Sequence, residues 1–139
     1  MNIKLTLIKF ITSVFIASVA LSASAQSINV TLNGTQEVPT VNTQASGKAE
    51  ITVDEDGSIS GKILTNHIKG TMAHVHEAAK GQNGPVIIKF SKVDDDTWMI
   101  PSGTKLSAEQ MKSLKDGHLY ENVHSNEHKS GEIRGQLLP

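Results

Sequence analysis

Met72-Ala73-His74-Val75-His76 sets two imidazoles two residues apart in a stretch that reads as a β-strand. Alternate strand residues share a face, so His74 and His76 project together while Ala73 and Val75 point the other way. Tyr120-Glu121-Asn122-Val123-His124 repeats the alternation and offers a third imidazole beside Tyr120 and Asn122. Imidazole is the commonest metal-ligating side chain, and three of them on two strands suit a first-row transition metal with an open position. Met72 shares the face of the histidine pair, and a soft thioether beside imidazoles favours copper, Cu(I) above all. The expected ligands are therefore His74, His76, His124 and Met72, and the expected ion is copper.

The competing reading for each residue is structural. His74 and His76 could bond backbone or carboxylate groups and close a sheet edge, and Met72 could fill space. His67, His118 and His128 have no such pattern, although His118 lies on the alternating face of Tyr120 and His124. Glu132 and Arg134 share a strand face and are expected to form a structural ion pair. Alternatively, Glu37 or Glu132 could orient a metal-bound imidazole, and Arg134 could dock an anion. Asp94-Asp95-Asp96 reads as a solvated turn, because the spaced oxygens and glycine of a calcium loop are missing. There is no cysteine, no G-x-S-x-G elbow and no glycine-rich phosphate loop, so no nucleophile constellation is visible.

Residues 1–25 look like a secretory signal. Lys4 and Lys9 form a positive start, Phe10 to Leu21 is apolar, and Ala23-Ser24-Ala25 is a small-residue cleavage site. The remainder, 26–139, is expected to be one periplasmic or secreted domain that leaves the membrane once cleaved. The full chain carries a formal net charge of −1, and the expected cleavage removes two lysines, so no basic footprint for nucleic acid remains. With a single tryptophan and a single tyrosine, a stacking platform for single-stranded nucleic acid is also absent.

These residues need a β scaffold, and the chain supplies one. Ile28–Leu32 and Ala49–Val53 alternate, Asp54-Glu55-Asp56-Gly57 is a hairpin signal, and Ser58–Leu64 is the return strand. Val86–Phe90 is β-branched and apolar, and Glu132–Leu137 forms a last strand. One helix interrupts the strands late. Ser107 and Gln110 make a capping box, Leu106, Met111 and Leu114 would face the sheet, and Gly117 suits the end. The pattern predicts an all-β fold, an antiparallel β-sandwich of Greek-key type with one short late helix.

Leu32-Asn33-Gly34-Thr35-Gln36-Glu37-Val38-Pro39, Ala45-Ser46-Gly47, Ala73-His74-Val75-His76 and Asn83-Gly84-Pro85-Val86 follow one another in order. Gly117 to Ser125 and Gly131 to Leu137 complete a set that resembles the CHRD domain family, named for its occurrence in chordin. The resemblance spans nearly the whole chain after the signal and implies a β-rich extracytoplasmic domain. In chordin such domains belong to an extracellular growth-factor antagonist, which implies binding of an extracytoplasmic protein partner rather than catalysis. A narrower resemblance, to copper-zinc superoxide dismutases, rests on His74-Val75-His76-Glu77, Gly84-Pro85, His124 and Gly131 to Arg134. It implies copper on His74, His76 and His124 with Arg134 attracting an anion. This chain departs from that pattern in having no disulfide, no clear zinc loop and no bridging histidine. The expected function is thus metal binding, storage or transfer, with copper the expected metal. A metal-free binding module is the alternative, and a dismutase-like redox protein ranks third.

Overall fold

The computed structural model describes residues 24–139, so all but the end of the expected signal (1–25) lies outside the described residues. The fold is all-β, with nine strands and one short α-helix among the described residues. β1 (Gln26–Asn33), β2 (Ser46–Val53) and β3 (Ile59–Asn66) form an antiparallel meander. β4 (Gly70–Glu77), β5 (Val86–Lys89), β6 (Ser91–Lys92) and β7 (Thr97–Met99) follow. After α1 (Ala108–Lys115), β8 (Leu119–Ser125) and β9 (Ile133–Leu137) complete the sheet. Among the described residues, no helix is long and apolar enough to cross a membrane.

The strands pair in the order β5-β4-β8-β9-β1-β2-β3-β7-β6, one continuous sheet rather than two hydrogen-bonded separately. Its two end strands, β5 and β6, are consecutive in the chain and separated only by Phe90. The Phe90 amide donates to Ala73 O (3.0 Å) and Lys92 Nζ donates to Gly70 O (2.9 Å), drawing the edges together. The sheet therefore curls into a nearly closed barrel whose two walls face each other as the halves of a sandwich do.

Alternation fills the inside. Ile28, Val30 and Leu32 of β1, Ala49, Ile51 and Val53 of β2, and Ile63 of β3 are buried. Ala73 and Val75, Leu119 and Val123, and Ile133 and Leu137 continue the same core. Burying such aliphatic side chains contributes about 1.5–3 kcal/mol each, the main force closing the barrel. Trp98 joins them from β7, a strand too short to show a period in the sequence. α1 begins as the sequence predicts, with the Ser107–Gln110 capping box formed in both directions. Leu106 and Leu114 are buried and Met111 is partly so, while Gly117 takes the positive φ of +72° that a C′ glycine permits.

β8 departs from simple alternation, because all seven of its residues are buried. Its core face holds Leu119, Glu121 and Val123, and its outer face holds Tyr120, Asn122 and His124. That outer face is covered by loops: 34–45 brings Glu37, 78–85 brings Gly84, and 126–131 brings Lys129. A polar layer is thus sealed under loops on the outside of the barrel.

Candidate metal centre

β4 and β8 are neighbours, with His74 opposite Asn122, His76 opposite Tyr120 and Met72 opposite His124. This register brings together residues some 50 positions apart and stacks three imidazoles on one sheet face. One ring nitrogen from each of His74, His76 and His124 lies within 4.8 Å of the others. His74 Nδ1 stands 3.1 Å from His124 Nε2. The three rings are nearly enclosed, each 9% exposed or less.

Backbone carbonyls fix two of the tautomers. His76 Nδ1 lies 2.9 Å from Gly84 O, and His124 Nδ1 lies 2.8 Å from Lys129 O. A carbonyl only accepts, so both Nδ1 atoms carry the proton and donate. In the neutral rings each Nε2 is then left with a lone pair, and both lone pairs converge on Asn122 Oδ1, at 3.1 and 3.0 Å. Metal-bound histidines are held in the same way, the second ring N–H donating to a carbonyl or carboxylate.

Burial disfavours charge on two of the three rings. Burial, reinforced by His124 and His76 alongside, pushes the His74 pKa down to about 4. Burial also lowers that of His76, against the opposing pull of its bonds to Gly84 and Asn122. At neutral pH these two rings are therefore free to ligate. The cluster itself contains no carboxylate, so its donors are imidazoles alone among the residue types that form it.

A second tier holds this arrangement. Tyr120 stacks on His76 with ring centres 4.8 Å apart and planes 4° from parallel. The Arg134 guanidinium carbon sits 3.4 Å from the centre of the Tyr120 ring, a cation–π contact. Arg134 donates to Gln82 O (2.8 Å), Asn83 Oδ1 (3.2 Å) and Gln136 Oε1 (3.3 Å). These bonds fasten the 82–84 loop, and the loop in turn presents the Gly84 carbonyl to His76. Asn122 Nδ2 donates to Glu37 Oε1 across 3.4 Å, which turns Asn122 Oδ1 toward the histidines. Burial raises the pKa of Glu37, while Asn122 and the charge of Arg134 work against it.

One sequence expectation changes here. The Glu132–Arg134 ion pair does not form: Glu132 instead accepts from Thr43 Oγ1 (2.6 Å), and Arg134 reaches the 82–84 loop. The reason is that loop carbonyls and amides fill the space around the guanidinium before Glu132 can. Arg134 is 1% exposed and acts as a clamp on the histidine layer. Met72 lies on the histidine strand but is 47% exposed, beside His74 in a shallow cleft that includes Lys89, Phe90 and Trp98. His67 and His118 are exposed and stand outside the cluster, as does His128.

The sequence underrated Asn122, Tyr120 and the loop carbonyls. Asn122 and Tyr120 were marked by their spacing from His124, Gly84 only by its place in the family motifs, and Lys129 by nothing at all. Gly131 was legible as a turn but not as a spacer. At φ +127°, a Cβ there would run into the Glu37 carboxylate and the Asn122 amide. Its glycine is what lets Glu37 reach Asn122.

No curated protein and no solved structure matches the chain. The family model of the CHRD domain does match, over residues 28–137, which takes in every strand from β1 to β9 and all three clustered histidines. The chain belongs to the CHRD domain family.

Proposed function

We propose that this protein binds a copper ion through His74, His76 and His124 and serves to hold or pass on that ion outside the cytoplasm. The observation that supports it best is the pair of Nδ1–H groups bonded to Gly84 O and Lys129 O. They commit His76 and His124 to the tautomer whose Nε2 lone pairs face inward, as ligand histidines require. An imidazole cluster without carboxylates suits copper or zinc rather than magnesium, calcium or manganese, and Cu(II) heads the affinity order for such sites. The signal-like segment 1–25 supports export to the periplasm or beyond. The fastening of Arg134 to the 82–84 loop supports binding over dismutase-like chemistry, since its guanidinium is already engaged.

The test is a calorimetric titration of the chelator-treated protein with Cu(II) at neutral pH. One ion per chain is expected, with binding abolished in the His74→Ala/His76→Ala double variant that still gives the wild-type circular dichroism spectrum. Affinity should also fall in acid as protons compete for the imidazoles, with His74 held until the pH approaches about 4. No binding, or binding unchanged in the double variant, refutes the metal reading and leaves a metal-free interaction domain.

A further inference from the structure

We infer that Asn122 Oδ1 is the fourth ligand of this centre, so that three imidazole nitrogens and one amide oxygen form a closed cage for a divalent ion. The inference rests on the proposed metal reading and specifies its ligand set. Asn122 Oδ1 stands 3.1 Å from His76 Nε2 and 3.0 Å from His124 Nε2. With both Nδ1–H groups donated to Gly84 O and Lys129 O, neutral rings bring lone pairs and no hydrogen to that oxygen. Asn122 Oδ1 then faces two ring lone pairs at hydrogen-bond distance with no hydrogen on either line, a repulsion that a cation among them relieves. Turning the Asn122 amide over does not relieve this without setting its oxygen against the Glu37 carboxylate.

Three of the six ligand–ligand spacings match a small ion. Ligands of a tetrahedral centre with bonds of 2.0–2.1 Å lie roughly 3.3–3.4 Å apart. The contacts His76–Asn122, His124–Asn122 and His74–His124, at 3.1, 3.0 and 3.1 Å, are within a few tenths of an ångström of that. Asn122 is 2% exposed, whereas Met72, the thioether on the same face, is 47% exposed. An amide oxygen in place of sulfur moves the site away from Cu(I) and toward Cu(II) or Zn(II). A four-ligand shell also leaves no open position, which fits holding an ion rather than turning over a substrate on it.

The experiment pairs X-ray absorption on the wild-type protein loaded with Zn(II) or Cu(II) with affinities of three variants. The spectrum should give three imidazoles and one further light atom at about 2.0–2.1 Å, with no sulfur near 2.3 Å. Asn122→Ala should weaken Zn(II) and Cu(II) binding about 10–100-fold, Asn122→Asp should restore it, and Met72→Ala should change it less than about 2-fold. A sulfur shell overturns the inference. So does a loss in Met72→Ala that Asn122→Ala does not share, or an Asn122→Ala protein that binds as wild type does. If the wild-type protein takes up neither ion, the metal reading itself falls and this ligand with it, an outcome distinct from the other three. The absorption measurement needs no variant and separates a light-atom shell from a sulfur shell, and Asn122→Asp, which keeps an oxygen at that position, assigns the residue if Asn122→Ala does not fold.

Discussion

Replacing Glu121 with Gln should abolish a steep loss of stability between pH 5 and pH 8. Glu121 lies on the core face of β8, paired with Val75 on one side and Gly135 on the other. It is fully buried, and neither carboxyl oxygen has a hydrogen-bond partner. Burial alone pushes its pKa from 4.5 up to about 8. Below pH 4.5 the folded and unfolded chains both hold the proton, so the group adds no pH dependence. Above it the unfolded chain releases the proton while the fold keeps it, and stability falls by about 1.4 kcal/mol per pH unit. The decline ends near pH 8, where the folded carboxyl also ionises, after a total loss of roughly 5 kcal/mol. The assay is urea unfolding with chelator present, at half-unit steps from pH 4.5 to 8.5, for wild type and Glu121→Gln. Subtracting the two curves removes the other titrating groups, including His74 and His76 on the opposite sheet face. The difference should slope across the window, and Glu121→Leu should be more stable than wild type at pH 7 by about 3 kcal/mol, since an apolar group of similar volume replaces an unpaired buried acid. Parallel pH profiles for wild type and Glu121→Gln would refute the reasoning and mean that the carboxyl finds a partner or water.

Two further substitutions test the supports of the histidine layer and of the helix. Gly131→Ala forces a Cβ into the Glu37–Asn122 contact at φ +127°, and should cost at least about 2 kcal/mol of unfolding free energy in the same urea assay. A neutral result there would mean that the loop carrying Gly131 does not press on the Asn122 amide. Ser107→Ala removes the hydroxyl that accepts from the Gln110 amide, and should lower stability by about 1 kcal/mol with no change in metal affinity. A change in metal affinity would show that α1 is coupled to the centre, although its buried residue Leu114 packs in the apolar core.

Much of this molecule is legible in its sequence because strand alternation and turn chemistry are local. The run from Ile28 to Leu32, the Asp56-Gly57 turn and the Ser107–Gln110 capping box each depend on residues a few positions apart. The same locality picked out His74, His76 and His124 as ligand candidates, since their spacing alone puts them on strand faces. The resemblance to the CHRD domain was likewise carried by motifs readable in order along the chain.

What the sequence could not decide is everything that depends on register and on loops folding back. That His124 meets His74 follows from β4 pairing with β8 in one particular register, which fixes Asn122 opposite His74. A slip of one residue would have sent the third imidazole into the barrel. The tautomers of His76 and His124 are set by Gly84 and Lys129, residues whose side chains take no part, so no residue type announces them. Arg134 looked like half of an ion pair and became a clamp, because Gln82 and Asn83 reach it first once the loop closes. Glu121 drew no attention as a carboxylate in the sequence, yet the alternation that directs Asn122 and His124 outward directs it into the core. Residue types and local spacing set which side chains were available for metal chemistry. Strand register and loop carbonyls, which form only as the barrel closes, set which of them meet and which lone pairs turn inward.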